Sequence, residues 1–305
     1  MGGDEFVTLG NPSLARSHMP PHRWQVGRGN TLILDHTLVM GILNVTPDSF
    51  SDGNAFNDLE SAVHHGLMMA AEGAEIIDVG GESTRPGAAT VPEHEELRRV
   101  IPVVEELVRQ LPPQVQVSVD TRKARVAERA LAAGATIIND VSGLQFDPQM
   151  LDVLRNHDAG VVVMHMRGNP QDMQRYTQYD DVVTEVCAWL DGRVRWLEEN
   201  GVAPDRVAVD PGFGFSKNLA QNLELLRQLP AFGRIGRPIL VGTSRKSMIG
   251  QILGLPVSQR LEGTMATVVL AVAGGADIVR VHDVLPVVRA CRMTDAVVRG
   301  AGKQG

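Results

Sequence analysis

The sequence predicts an α/β protein: a (β/α)8 TIM barrel with an N-terminal β-hairpin closing its bottom. Three observations carry that expectation. Apolar runs end again and again in a polar, usually charged residue: MGILN at Asn44, IIDVGGES running out to Glu82, VSVD at Asp120, TIIN at Asn139, VVVMH at His165, VAVD at Asp210, ILVGTSRK running out to Lys246, and IVRVH at His282. Stretches of helical period lie between these runs. The runs are rich in Val and Ile with little alternation, as in a parallel sheet covered on both faces. In such a barrel the strands all end at one mouth, where chemistry takes place.

Residues 1–22 read as a flexible N-terminal segment, polar and interrupted by Pro12, Pro20 and Pro21. Arg23–Asp35 reads as two short strands around Gly27-Arg28-Gly29-Asn30, a hairpin that plugs the closed end. Residues 23–300 then form one domain. Strand 1 is placed at Leu38–Asn44, with a helix at Leu59–Glu72. Strand 2 is Glu75–Val79, with a helix at Pro92–Gln110. Strand 3 is Val115–Asp120, followed at once by a helix from Arg122 to Ala133. Strand 4 is Ala135–Asn139, with a helix at Pro148–Asn156. Strand 5 is Gly160–His165, with a long helix at Tyr179–Asn200. Strand 6 is Arg206–Asp210, with a helix at Leu219–Leu229. Strand 7 is Pro238–Gly242, with helices at Lys246–Leu253 and Ser258–Ala273. Strand 8 is Ala276–His282, closed by a helix at Leu285–Arg299. Gly73, Gly134, Gly160, Gly201 and Gly275 each stand between a helix and the next strand, where a C-cap needs positive φ. Three loops at the mouth are long, Pro47–Asp58, Gly80–Val91 and Met166–Gln178, the length of functional loops.

Composition narrows the partners. The chain has 305 residues, 43% of them hydrophobic, and a formal net charge of −7. That suits one large packed domain and argues against a general nucleic-acid footprint. No apolar run approaches the ~18 residues of a membrane span, and the opening MGGDEFVTLGNPS has no apolar signal-peptide core. Two cysteines, Cys187 and Cys291, cannot build a disulfide framework and fit a reducing cytoplasm.

Four constellations carry chemistry. In IVRVH, Arg280 and His282 alternate onto one face at the end of the last strand. Two donor heads side by side suit a phosphate-type oxyanion; the bland reading pairs Arg280 with a core carboxylate. The second is Gly242-Thr243-Ser244-Arg245-Lys246-Ser247. Cations at a helix N-terminus are locally unfavourable unless they meet an electron-rich partner, and Ser247 with free N–H groups can hold a carboxylate. Arg245 suits a solvated position, Lys246 a ligand. The third is Asp120, Asn139 and Asp210, which together with Lys246 can read the edge of a planar heterocycle; of these, Asp120 is best placed to cap the helix that follows. The fourth is the strand-1 exit, NVTPDSFSDG, whose oxygens suit a Mg²⁺ shared with substrate phosphates rather than a protein-only cage. Glu82-Ser83-Thr84-Arg85-Pro86-Gly87 adds a cation on a turn-rich loop. His64 and His65 read as surface. His165 either faces the mouth or packs.

MGILNVTPDSFSDG, IDVGGESTRPGA, SVDT, INDVSG, VVMHMRGNP, DPGFGFSKN, GTSRKSMIG, RLEGTMAT and RVHDV, in that order across residues 40–283, resemble the motifs of the dihydropteroate synthase family, pterin-binding TIM barrels. The resemblance implies condensation of (7,8-dihydropterin-6-yl)methyl diphosphate with 4-aminobenzoate, by an SN1-like route with Mg²⁺, to 7,8-dihydropteroate and diphosphate in folate biosynthesis. It implies catalytic roles for Lys246, Asp120 and Arg280. The pterin would meet Asp120, Asn139, Met164, Asp210, Phe213, Gly242, Lys246 and Arg280. The diphosphate would meet Asn44, Thr84, Arg85, Arg280 and His282, with Mg²⁺ on Asn44 and Asp52. The 4-aminobenzoate would lie against Phe50, Thr84, Pro86, Phe215, Lys246 and Ser247. A cytoplasmic homodimer is implied, formed through the helices after strands 6 and 7 with Ile252, Leu253 and Leu255, and so is sensitivity to sulfonamides. The chain departs from the family pattern at Asn54, where a second glycine is usual, and at Ser216, where glycine or alanine is common.

Two other activities are weighed against this one. A pterin-binding methyltransferase that passes a methyl group to a corrinoid uses no diphosphate, so Arg280, His282, Lys246 and Ser247 would have no role. A non-catalytic pterin-binding paralogue would be signalled by an altered Lys246 or a broken TRPG loop, and both are intact.

Overall fold

The computed structural model describes residues 22–45, 55–84 and 87–300. A short antiparallel hairpin comes first, β1 (His22–Gln25) and β2 (Thr31–Leu34). The barrel follows: β3 (Leu38–Asn44), α1 (Ala55–Ala71), β4 (Ile76–Gly80), α2 (Glu93–Gln110), β5 (Gln116–Asp120), α3 (Ala124–Ala132), β6 (Ile137–Asp140), α4 (Met150–Asn156), β7 (Gly160–Met164), α5 (Val182–Glu199), β8 (Val207–Asp210), α6 (Leu219–Arg227), β9 (Leu240–Val241), α7 (Ser247–Leu253), α8 (Leu261–Ala273), β10 (Ile278–Val281) and α9 (Val284–Val298). The eight barrel strands run parallel in the order β8-β7-β6-β5-β4-β3-β10-β9. A parallel bridge between Val209 and Ile239 joins the two end strands and closes the ring. The expected (β/α)8 barrel is thus observed, hairpin included.

Side chains sort by the period of two. Val39, Leu43, Ile77, Val79, Val117, Val119, Val161 and Val163 belong to the large core between sheet and helices. Leu38, Met40, Ile76, Ile137, Val162, Ala208, Leu240 and Ile278 belong to a second cluster inside the barrel, joined from below by Trp24, Val26 and Leu34 of the hairpin. The hairpin is fastened by polar bonds as well. Trp24 Nε1 donates to the Arg206 carbonyl at 2.8 Å, and Gly27 N to the Thr136 carbonyl at 2.8 Å. Further along β3, β4, β6, β8 and β10, and on β5, the inward face turns polar, at Asn44, Asp78, Asn139, Asp210 and Arg280 and at Asp120. The apolar layers below and the helices outside hold this polar ring rigid.

Four of the five expected C-cap glycines have positive φ: Gly73 (104°), Gly134 (110°), Gly201 (87°) and Gly275 (97°). Gly160 does not. It lies within β7, where a Cβ would come within 2.9 Å of Val26 and 3.2 Å of the Gln25 carbonyl, so it makes room for the plug. Two helix starts shift for physical reasons. α5 begins at Val182, not Tyr179, because Asp181 caps it by accepting from Val183 N and Thr184 N. α3 begins at Ala124, not Arg122, and Asp120 does not cap it; Asp147 Oδ2 accepts from Ala124 N at 2.9 Å instead. Strand 7 shrinks to Leu240–Val241 and leaves Gly242 just beyond it. Among the described residues no helix is long and apolar enough to cross a membrane.

Candidate active site

One part-buried guanidinium ties three strands together. Arg280 on β10 donates from Nε to Asp78 Oδ2 at 2.6 Å and from Nη2 to Asp120 Oδ2 at 2.7 Å. Asn139 Nδ2 donates to the same Asp78 oxygen at 3.0 Å. Asp78 Oδ1 and Ser118 Oγ, which belong to residues paired across β4 and β5, are buried without a hydrogen-bond partner among the described residues. Unmet buried polar atoms of this kind are costly in the absence of a ligand. Burial pushes the Asp120 carboxyl up to about 7, Arg280 opposing and Asp78 reinforcing the rise. Arg280 is therefore not a free cation beside His282. Its charge is already shared between two carboxylates.

Across the mouth, Asp210 ends β8 and accepts from Gly212 N at 2.7 Å. Burial raises its pKa, while that same hydrogen bond and the charge of Lys246 lower it. Lys246 immediately precedes α7, with its ammonium 4.2 Å from the centroid of the Phe215 ring, a cation–π distance. Phe215 packs in a small cluster with Val141, Met164, Met166 and Met173. Phe213, expected beside the pterin, is buried and belongs to the large core between sheet and helices. Gly242 lies beside Arg280, 3.8 Å from its Cβ to where a glycine Cβ would be. Ser247 opens α7 and borders a cavity of about 340 Å³ with Gln174, Lys217, Asn218 and Asn222.

The oxyanion side of the mouth is built from β3, β4 and β10. His282 Nδ1 lies 3.0 Å from Ser244 Oγ. Arg245 is not simply solvated; it pairs with Asp283 at 2.6 Å. Thr84 borders a narrow cleft with Glu82, Asp120 and Val141. Phe50, Asp52, Arg85 and Pro86 lie outside the described residues. A Cβ on Gly80 would stand 3.9 Å from both Asn44 Oδ1 and Asp120 Oδ2. The glycine thus keeps a space open beside a hard amide oxygen. Among the described residues no cluster of three or more His, Cys, Asp and Glu could hold a metal ion.

Several contributors escape a reading of the sequence. Asp78 lies within a strand rather than at its end. Glu82 binds Arg122 at 2.8 Å and Lys123 at 2.5 Å, and Lys123 also binds Glu96; this buried network holds the base of the β4–α2 loop to the β5 exit. His165 packs, its ring edge-on to Trp189 at 5.0 Å, and burial, with help from Lys217, drives its pKa down to about 2. Ser216, where glycine is common, has φ of 48°, the left-handed region that explains the glycine.

The comparisons agree with this architecture. The family described as "Pterin binding enzyme" matches residues 40–282. The chain is 50% identical to the dihydropteroate synthase of Synechocystis sp. over 264 residues, 86% of this chain and 91% of the relative. It is 49% identical to that of Escherichia coli strain K12 over 271 residues, 89% and 95%. Among solved structures, Yersinia pestis dihydropteroate synthase in a sulfonamide drug complex superposes with a TM-score of 0.84 at 47% identity, covering 90% of this chain and 98% of that one. The Burkholderia cenocepacia enzyme complexed with 7,8-dihydropteroate gives 0.82 at 45%, covering 91% and 96%. The chain belongs to the pterin-binding enzyme family and, within it, to the dihydropteroate synthases.

Proposed function

We propose that the barrel mouth joins (7,8-dihydropterin-6-yl)methyl diphosphate to 4-aminobenzoate in the following way. The observation that carries the reading is the ring of inward polar side chains at the barrel mouth, in which Asp78, Asp120 and Asp210 face Arg280 and Lys246. Three buried carboxylates against two cations leave a site that favours N–H donors and developing positive charge. A pterin edge offers such donors to Asp120, Asn139 and Asp210, with Lys246 at its carbonyl side and Met164 against its face. The ester C–O bond breaks and diphosphate leaves with the electron pair. The aminobenzoate nitrogen then adds to the pterin methylene cation and gives up a proton. Asp120 stabilises that cation; Asn44, Thr84, Arg85 and His282, with the remaining N–H groups of Arg280, receive the diphosphate. Asn44 and Asp52 would hold Mg²⁺, which when bound neutralises diphosphate charge. Phe50, Thr84, Pro86, Phe215 and Lys246 would flank the aminobenzoate, and Ser247 would meet its carboxylate.

We also place the working protein in the cytoplasm as a homodimer. Ile252, Leu253, Val257, Val269, Leu270, Met293 and Val297 are exposed on α7, α8, α9 and their connections, an apolar surface suited to a second copy. Sedimentation as a monomer at micromolar concentration would exclude the dimer. For the activity, the test is diphosphate release on mixing both substrates, with and without Mg²⁺. Release that needs both substrates is expected. Methyl transfer to a corrinoid without release would point to the methyltransferase, and pterin binding without turnover to the inactive paralogue.

A further inference from the structure

Lys217 is a buried lysine with no carboxylate of the described residues in hydrogen-bond reach; its side chain is enclosed behind the β8–α6 loop. Its Nζ lies 3.0 Å from the Gly212 carbonyl, 2.9 Å from the Phe215 carbonyl and 3.1 Å from His165 Nδ1. With the His165 carbonyl at 3.4 Å, four acceptors surround this nitrogen, surroundings that suit the three hydrogens of an ammonium, while burial lowers its pKa to about 7 and the charge of Asp210 opposes that fall. His165 can accept at Nδ1 because its ring is buried and unprotonated. The bonds from Lys217 close the segment Gly212-Phe213-Gly214-Phe215 into a ring around the ammonium. On that ring, Gly214 passes so near Lys246 that a Cβ would stand 3.1 Å from its Cδ. Phe215 presents its ring to the Lys246 ammonium. The loop is pinned from outside too, by Gln174 Nε2 to the Gly214 carbonyl at 3.1 Å and by Gly214 N to Asn222 Oδ1 at 2.7 Å.

We infer that Lys217 is a positioning residue: its ammonium serves as an internal cation that folds the β8–α6 loop around itself and so sets the Phe215 ring beside Lys246, where the arylamine substrate is received. The inference rests on the placement of 4-aminobenzoate against Phe215 and Lys246. It differs from a general packing role because the effect runs through one loop and one substrate.

Amide hydrogen exchange reads the clamp directly. Lys217→Met should speed exchange in residues 211–218 while the rest of the barrel keeps its rates. It should raise KM for 4-aminobenzoate about tenfold, with the Kd of a pterin analogue changed by less than about twofold. Lys217→Ala supplies a second variant whether or not the Met variant folds. Propylammonium, which returns an ammonium to the space, should lower the raised KM, and propanol should not. Unchanged exchange in residues 211–218, an unchanged KM, or indifference of the Ala variant to propylammonium would each overturn the proposal. Absence of diphosphate release by the wild-type enzyme would instead sink the substrate reading, and the exchange measurement would still decide the clamp.

Discussion

Arg280 Nε and Asp78 Oδ2 meet at 2.6 Å, and Asp78 is wholly buried. The pair spans neighbours of β3 on opposite sides, β10 and β4, so it fixes the guanidinium relative to the exit of β3 where Asn44 stands. The same Asp78 oxygen receives Asn139. One carboxylate therefore orients two groups proposed to meet the pterin and its leaving group, without itself lying at a strand end.

Asp78→Asn is expected to damage activity more than its position suggests. The amide keeps the shape but leaves Asp120 as the one carboxylate bonded to Arg280. Breaking one side of a buried pair costs about 3–5 kcal/mol. Urea unfolding should show lower stability, and kcat/KM should fall by at least about a hundredfold. An Asn variant with wild-type kcat/KM would remove Asp78 from the site.

Asp210→Asn tests the heterocycle reading. A carboxylate that accepts from ring N–H groups becomes an amide with one acceptor oxygen and a competing NH₂. Pterin-analogue binding should weaken by about 1–3 kcal/mol, measured by calorimetry. Unchanged affinity would move the pterin away from β8.

Much of this was legible in the residues because barrel chemistry sits where apolar runs stop. Asn44, Asp120, Asn139, Asp210 and His282 all stand at such stops, and the period of two sets Arg280 beside them. Asp78 was hidden because it precedes Val79 and Gly80 within the run; its role depends on strand register, which pairs it with Ser118 and brings Arg280 across β3. Lys217 was hidden because a lysine in a Gly-rich turn reads as solvated, and only the closed loop reveals the carbonyls around it. Phe213 and Phe215 differ in face, not composition, so the motif could not say which one reaches Lys246. Gly160 reads as a cap until the hairpin is packed against it.

Lys246→Ala should abolish turnover. It removes the charge beside the reacting centre and the partner of the Phe215 ring in one step. A loss of more than about a hundredfold in kcat is expected in the diphosphate-release assay. Retention of even a tenth of the wild-type rate would show that chemistry does not need the ammonium. Sulfonamide should compete with 4-aminobenzoate in the same assay.

His36 supplies a pH test of stability away from the mouth. It bonds Glu75 at 2.8 Å and Asp35 at 2.6 Å, and the Glu75 hydrogen bond raises its pKa from 6.5 to about 9 against the effect of burial. A raised folded pKa means the folded state holds the proton more tightly. The stabilisation is complete below about 6.5 and lost as pH rises through about 9. The site is half exposed, so solvent screening limits the contribution to about 1 kcal/mol or less. Relative to His36→Asn, the wild type should have the higher urea midpoint at pH 6, and the difference should vanish by pH 10. A constant difference across that range would assign the effect to packing.

Trp24 decides whether the hairpin is part of the barrel or an ornament on it. Its ring is fully buried among Leu38, Met40, Ile76 and Ile137, and its Nε1 bond to Arg206 ties β1 to the start of β8. Arg206 is in turn held by the carbonyls of Leu154, His157 and Ala159, so the indole bonds to an already fixed backbone. Trp24→Ala removes the wedge and opens a cavity inside the ring of strands, a change that costs about 3–5 kcal/mol. Trp24→Phe keeps most of the apolar contact and loses the N–H, so its loss should be nearer 1 kcal/mol, about that of one hydrogen bond. Denaturant midpoints of the two variants should fall in that order. Because the polar ring stands above the same apolar layers, the Ala variant should also bind a pterin analogue less tightly at temperatures where it remains folded. Equal midpoints for wild type and Trp24→Ala would mean that the barrel floor closes without the hairpin.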